Sequence, residues 1–344
     1  MFRQILLITP LMVIAFNACV LPTENSLPEQ KPPTSNAWQQ NDKLARSMNL
    51  GNALEAAEEG DWGLMLEEEY FEIIAEAGFS AVRLPCKWSA HTTQAKPYTI
   101  DPEFLARVDW AIDQAEKNGL AIVVNVHHYD EFKETPLEQV DRLHAIWNQL
   151  ATHFQDRSDN LILELFNEPN GEFTPELWNM VLVELVDSIR SIDSSRTLMV
   201  GTANWGGISG LDDLVLPSDS NLIVTVHYYN PFHFTHQGAE WVDNADDWLG
   251  TSWGVSNSDH LNLESDFDKV QQWSKQHDRP IFVGEFGAYS KAEMVYRIQW
   301  TKSVVSIIEQ RNMAWAYWEF ASGFGAYDLN ADDWTALLPA LIQD

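Results

Sequence analysis

The chain has 344 residues, with 51 acidic and 21 basic side chains giving a formal charge of −30. A hydrophobic fraction of 45% excludes disorder as the main state, and the negative charge excludes a binder of nucleic acid by bulk electrostatics. An acidic surface suits a soluble protein acting on a neutral substrate, and fifteen Trp exceed what a core of this size needs, as expected where aromatic rings stack on sugars.

Residues 1–18 read as an export signal. Arg3 supplies the positive start, and an apolar run from Ile5 to Phe16 is too short to span a bilayer comfortably. The run ends in Phe16-Asn17-Ala18-Cys19, which resembles a bacterial lipoprotein box with Cys19 as the lipidated residue. Ordinary secretion is the other possibility. Residues 19–37 hold four Pro between Leu21 and Asn36 and read as a flexible tether. With Cys19 lipidated or removed, Cys86, the only other cysteine, has no partner for an intramolecular disulfide and reads as a small buried hydrophobe.

From residue 38 to 344 the pattern is that of one folded domain. Strand-like runs recur at Ser47–Leu54, Ala81–Trp88, Ala121–His128, Leu161–Glu168, Leu198–Trp205, Leu222–Tyr229, Ile281–Phe286 and Ala314–Phe320. Several are apolar nearly throughout, as strands buried on both faces must be. Helical stripes lie between them at 67–77, 102–118, 136–154, 174–192, 264–276 and 292–310, with Gly78 and Gly119 where helices end. Eight strands with intervening helices predict an α/β fold, a single (β/α)8 barrel. The connection after the fifth strand, 206–220, offers little helix. An open doubly wound sheet is the competing architecture, but Asn49-Leu50-Gly51-Asn52 is not a phosphate loop.

In such a barrel, polar residues at the C-terminal ends of strands furnish the active site. Here they are Asn52, Glu55, Arg83, His127, His128, Asn167, Glu168, Trp205, His227, Tyr229, Glu285, Trp318 and Glu319. Glu168 and Glu285 end the fourth and seventh strands, roughly across the mouth. Two carboxyls flanking a glycosidic bond are what retaining hydrolysis requires, one as nucleophile and one as proton donor.

These residues carry a resemblance. Asn167-Glu168-Pro169 with Gly284-Glu285-Phe286-Gly287 is similar to glycoside hydrolase family 5 of clan A. The likeness continues through Asn49-Leu50-Gly51-Asn52-Ala53-Leu54-Glu55, Val82-Arg83-Leu84-Pro85, Val126-His127-His128-Tyr129, Val226-His227-Tyr228-Tyr229 and Tyr317-Trp318-Glu319-Phe320. It resembles most the cellulase subgroup with thermophilic endoglucanases also active on mannans.

The resemblance implies Glu168 as acid/base and Glu285 as nucleophile. It implies Arg83 bonded to the nucleophile, Asn167 holding the sugar 2-hydroxyl, Tyr229 orienting Glu285, and His127, His128 and His227 lining the cleaving subsites. Trp318 becomes the stacking platform beside the bond, and Trp205 and Trp241 become further platforms. Asn52, Glu55 and His236 are expected to touch substrate hydroxyls. Trp110, Trp147, Trp178, Trp273 and Trp300 sit on helical stripes and read as packing, and His144 and His153 as surface residues.

The histidines, with His233 and His236, also allow a metal site. The first strand offers no His pair, and adjacent His127 and His128 suit single hydrogen bonds better than shared ligation, so no metal or organic cofactor is expected.

The expected protein is a retaining endo-β-1,4-glucanase taking a β-1,4-linked polysaccharide or oligosaccharide, exported as an outer-membrane lipoprotein or secreted. It should be monomeric, meeting a membrane only through its lipid. A β-mannanase or glucomannanase is the near alternative, and a non-catalytic glycan-binding lipoprotein the remote one.

Overall fold

A computed structural model describes residues 36–343. The expected export signal, Cys19 and the tether as far as residue 35 lie outside the described residues. A first helix, α1 (Asn36–Lys43), takes in Asn36 and Ala37, which the sequence pattern had assigned to the tether.

Eight parallel strands close into a barrel in chain order: β1 (Arg46–Asn49), β2 (Ala81–Leu84), β3 (Ala121–Asn125), β4 (Leu161–Glu164), β5 (Leu198–Gly201), β6 (Leu222–His227), β7 (Ile281–Glu285) and β8 (Ala314–Tyr317). The sequence runs located all eight but carried each beyond its last paired residue. Chain that has left the sheet at the mouth is still apolar or aromatic, and it reads as strand.

Around the barrel lie α2 (Glu68–Glu76), α3 (Pro102–Lys117), α4 (Pro136–Phe154), α5 (Pro175–Ile192), the short α6 (Phe232–Thr235), α7 (Asn257–His277) and α8 (Met294–Gln310). After β8 come a two-residue hairpin, β9 (Tyr327–Asp328) and β10 (Asp333–Trp334), and α9 (Leu338–Leu341). Helix starts follow local chemistry. Asp101 and Thr174 accept the Glu103 and Leu177 amides at α3 and α5, each ahead of a first-turn Pro. Only a single 3-10 turn, Ile208–Leu211, follows β5, as the weak pattern there predicted. No helix among the described residues is long and apolar enough to cross a membrane.

Two apolar layers form. Side chains inside the barrel, among them Val123, Ile162, Met199, Ile223 and Phe282, pack with Ala37 and Leu44. Helix α1 thus plugs the N-terminal end, where Asn41 also donates to the Ile281 carbonyl at 3.2 Å. The larger layer lies between strands and helices and buries Trp147, Trp178 and Trp300 completely and Trp273 almost so. With its bottom sealed, the barrel opens only at the C-terminal ends of its strands, where register pairs Asn49 with Arg83 and Asn125 with Glu164.

Candidate active site

Arg83 organises the mouth. It is fully buried, and a guanidinium has five N–H donors and no acceptor. Each finds a partner. Nε and Nη2 donate to the two oxygens of Glu164 at 2.7 Å, and Nη2 donates also to Asn167 Oδ1 at 2.7 Å. Nη1 donates to Asn49 Oδ1 at 2.9 Å and to Glu285 Oε1 at 2.8 Å. Burial opposes the charge on Arg83, but Glu164 and Glu285 outweigh it and raise the pKa. The expected bond from Arg83 to Glu285 is therefore present as one of five, and the bidentate partner Glu164 was missed. In the sequence Glu164 is a single acid inside an apolar strand, facing a barrel interior that should be apolar. The signal available was the mismatch itself, because a carboxylate there requires a buried cation.

Glu285 closes β7 and is nearly buried. Burial raises its pKa, while His227 and Arg83 act the other way. The Tyr229 hydroxyl donates to Glu285 Oε2 at 3.0 Å, and burial and Glu285 hold that phenol well above its ordinary pKa, so it stays a donor.

Glu168 lies four residues beyond the end of β4 rather than at it, in a left-handed conformation (φ 51°) before Pro169. The Asn170 side chain donates to the Glu168 carbonyl at 2.7 Å and holds this turn. His227 Nδ1 lies 2.7 Å from Glu168 Oε1 and 3.6 Å from Glu285 Oε2, so one ring faces both carboxyls. Burial works against a charge on His227, but Glu285 and Glu168 together raise its pKa above the ordinary histidine value. Gly206 permits this approach, since a Cβ there would lie 3.1 Å from the His227 ring and 3.3 Å from Glu168 Cγ.

The mouth is a cleft of about 680 Å³, and Asn52, Glu55, His127, His128, Tyr229, His236, Trp241 and Trp318 line it with the Glu pair. Trp318 and His127 lie nearly parallel, 5.8 Å apart at 14°. His127 accepts from Asn125 through Nδ1, and burial, then His128 and Arg83, lower its pKa well below the usual value. Burial brings His128 and His236 to about 4, so all three are neutral hydrogen-bonding groups.

Trp241 is 60% exposed and meets Tyr289 edge-on at 4.9 Å. Trp205, 59% exposed, is not on this cleft. It lines a smaller adjoining pocket with Asn167, Glu168 and His128, and Lys133 Nζ lies 5.5 Å over its ring. Glu55 is more enclosed than expected for a hydroxyl-binding residue. Its oxygens take the Asn52 and Ala53 amides, and burial pushes its pKa up to about 7. Glu319 is fully buried beneath the Ala321–Phe324 loop, with its pKa pushed by burial to about 8.

Among the described residues, Glu168, His227 and Glu285 bring candidate metal-ligand atoms within 4.8 Å of one another. The Arg83 guanidinium 2.8 Å from Glu285 opposes a cation there. His233 stacks on Trp248 instead, and His144 and His153 face Glu184 and Asp109 on the outer helices.

A match to the cellulase family, glycosyl hydrolase family 5, covers residues 45–323. The chain belongs to glycosyl hydrolase family 5. Structures of Thermotoga maritima Cel5A in complex with cellobiose and with mannotriose are each 50% identical with a TM-score of 0.88, covering 89% of this chain and all of theirs. Endoglucanase H of Acetivibrio thermocellus is 33% identical over 301 residues, and the cellulase/esterase CelE of that organism 29% over 292. Those matches cover 88% and 79% of this family 5 chain but only 32% and 35% of the two relatives, so it spans about a third of their length.

Proposed function

We propose that this chain is a retaining endo-β-1,4-glucanase acting on cellulose-like and mixed-linkage glucans as a monomer, with Glu285 as nucleophile and Glu168 as acid/base. One observation carries the reading: the nearest oxygens of the two carboxyls lie within 4.8 Å of each other. Retaining enzymes hold their carboxyls about 5–5.5 Å apart, whereas inverting enzymes need about 6.5–9.5 Å to admit a water.

In the first step a Glu285 oxygen bonds to the anomeric carbon as the bond to the leaving chain breaks, and Glu168 gives its proton to the departing oxygen. His227, donating from Nδ1 to Glu168 Oε1, leaves Oε2 to carry that proton. Esterification removes the charge of Glu285, and Glu168 then takes a proton from the water that attacks the anomeric carbon and releases Glu285. Two displacements return the original configuration.

Asn167 Oδ1 is engaged by Arg83, which directs its amide N–H groups to the sugar 2-hydroxyl. Trp318 stacks under the sugar at the bond, Trp241 serves the same strand of sugars, and Trp205 serves the leaving chain beyond Glu168. Mannan as a second substrate is favoured by the mannotriose complex of the 50% identical Cel5A. Glucose and mannose differ at the C2 hydroxyl, so the contacts of Asn52, Glu55 and His236 would set the ratio. For the residues that precede α1 we propose export with acylation at Cys19 and a tether to the outer membrane; Cys19→Ser should release the protein from membranes, and a membrane-free wild type would refute the anchor.

The test is product release from β-glucan, carboxymethylcellulose, glucomannan and mannan by residues 36–344, with Glu285→Gln and EDTA arms. Glucan turnover that survives EDTA and vanishes in Glu285→Gln is expected. Retained glycan binding without turnover would leave a binding protein, and substantial activity in Glu285→Gln would refute the nucleophile.

A further inference from the structure

Tryptophan placement divides sharply in this molecule. Trp88, Trp147, Trp178, Trp253, Trp300 and Trp315 are among its most completely buried side chains, whereas Trp62, Trp205 and Trp241 are strongly exposed. All three exposed rings stand at the barrel mouth. Trp205 and Trp241 have a place in the proposed function; Trp62, 45% exposed on the connection between β1 and α2, has none.

The loop that carries Trp62 does not need the indole for its own folding. Arg107 grips Glu59 through Nε and Nη2 at 2.8 and 2.9 Å and donates to the Leu66 carbonyl at 2.6 Å. Glu59 Oε1 also accepts the Leu66 amide at 2.7 Å. The segment is therefore closed by a partly buried ion pair at its base. At its tip Gly60 (φ 96°) and Gly63 (φ 91°) bracket the tryptophan, and the Gly63 amide donates to the Gly60 carbonyl at 3.0 Å. Positive φ on both sides turns the ring out of the loop body and over the cleft. There it meets His128 nearly perpendicularly, 5.4 Å between centroids. An indole left half in water forgoes the burial that its apolar area would provide, and such a ring on a braced loop above a cleft is a docking surface.

We infer that Trp62 is a sugar-stacking position in this cleft, holding a pyranose outside the pair that flanks the scissile bond. The occupant is the apolar C–H face of a β-1,4-linked hexopyranose, an identification that rests on the proposed function.

The experiment compares wild type, Trp62→Ala and Trp62→Phe on cellohexaose and on an aryl β-glucoside. Each change is also placed in a Glu285→Gln background for cellohexaose titration. Trp62→Ala is expected to lower kcat/KM on cellohexaose about tenfold, mainly through KM, matching loss of a modest apolar contact area. The same loss should appear as weaker binding in the titration. The loss on the aryl β-glucoside should stay within about twofold because its one sugar and its aryl group fill only the pair of positions that flank the scissile bond, and Trp62→Phe should recover most of the deficit. Equal losses on both substrates, or unchanged cellohexaose binding in Trp62→Ala, would overturn the stacking role. If wild type turns over no glucan, the glucanase reading fails, and the titration alone decides for or against Trp62.

Discussion

Glu164→Gln probes the charge arrangement most directly, because it changes one buried atom's chemistry with almost no change in volume. The carboxylate receives two Arg83 N–H groups at 2.7 Å, and both partners are fully buried. A carboxamide can accept one of those bonds, but its NH2 then faces the other N–H, leaving a buried donor unpaired. Losing one charge-assisted bond costs about 1.5–3 kcal/mol, and breaking a buried pair about 3–5 kcal/mol. Glu285 still compensates Arg83, so the lower part of that range applies, about 3 kcal/mol. Unfolding entropy is about 2.1 cal/mol/K per residue. For the folded body of residues 36–343 this sums to about 0.65 kcal/mol/K, and the midpoint should fall by about 5 °C.

Activity should fall further than stability suggests. With one anion fewer, Arg83 draws more strongly on Glu285 and would lower the nucleophilicity proposed for it, and the Nη2 group that fixes Asn167 Oδ1 loses its own anchor. A fall of about two orders of magnitude in kcat is expected, within the range for loss of a preorganised electrostatic contact. Calorimetry and glucan turnover measure both effects. Glu309→Gln is the control: its pair with Arg46 is about 31% exposed on each side and should be worth less than about 1 kcal/mol. A Glu164→Gln protein melting within about 1 °C of wild type and turning over within about twofold would refute the charge reasoning.

Three further outcomes are expected. Glu168→Gln should reduce turnover of unactivated glucans by about three orders of magnitude and that of aryl glycosides with good leaving groups far less, since the latter need no proton; equal losses would argue against the acid role. Gly287→Ala would set a Cβ 2.1 Å from the Trp318 carbonyl oxygen, so the Trp318 backbone must shift. At least a tenfold fall in kcat/KM should follow, and a variant with unaltered kinetics and melting would show that the platform tolerates displacement. Glu319 titrates near 8 in the folded chain against 4.5 when free, so folding takes up a proton between those values. Its contribution to stability is complete below about pH 4.5 and lost as pH rises through 8. The wild-type midpoint should therefore decline across that window. Glu319→Gln should decline less, keeping through Oε1 the Ser322 and Phe324 amide bonds while losing the Ala321 contact. Parallel pH profiles would sink this assignment.

Residue order alone determined the barrel, because continuous apolar strand runs and period-3.6 helical stripes are local and eight repeats of strand and helix admit few closed arrangements. It also singled out Glu168 and Glu285, since a carboxylate beside an apolar run has no cheap location except the mouth. Strand ends were less legible: hydrogen bonding to a neighbour, which ends a strand, leaves no mark in composition, and so Glu168 lies beyond β4. Glu164 and Asn49 were invisible as site residues because only strand register brings them to Arg83, from positions 81 and 34 residues away. The depth of Glu55 and the side pocket of Trp205 likewise depend on how loops fold over the mouth. Trp62 is the plainest case. Sequence shows a tryptophan between two glycines, and only the Arg107–Glu59 brace, formed with a residue 48 positions away, decides that its ring stands in the cleft rather than in the core.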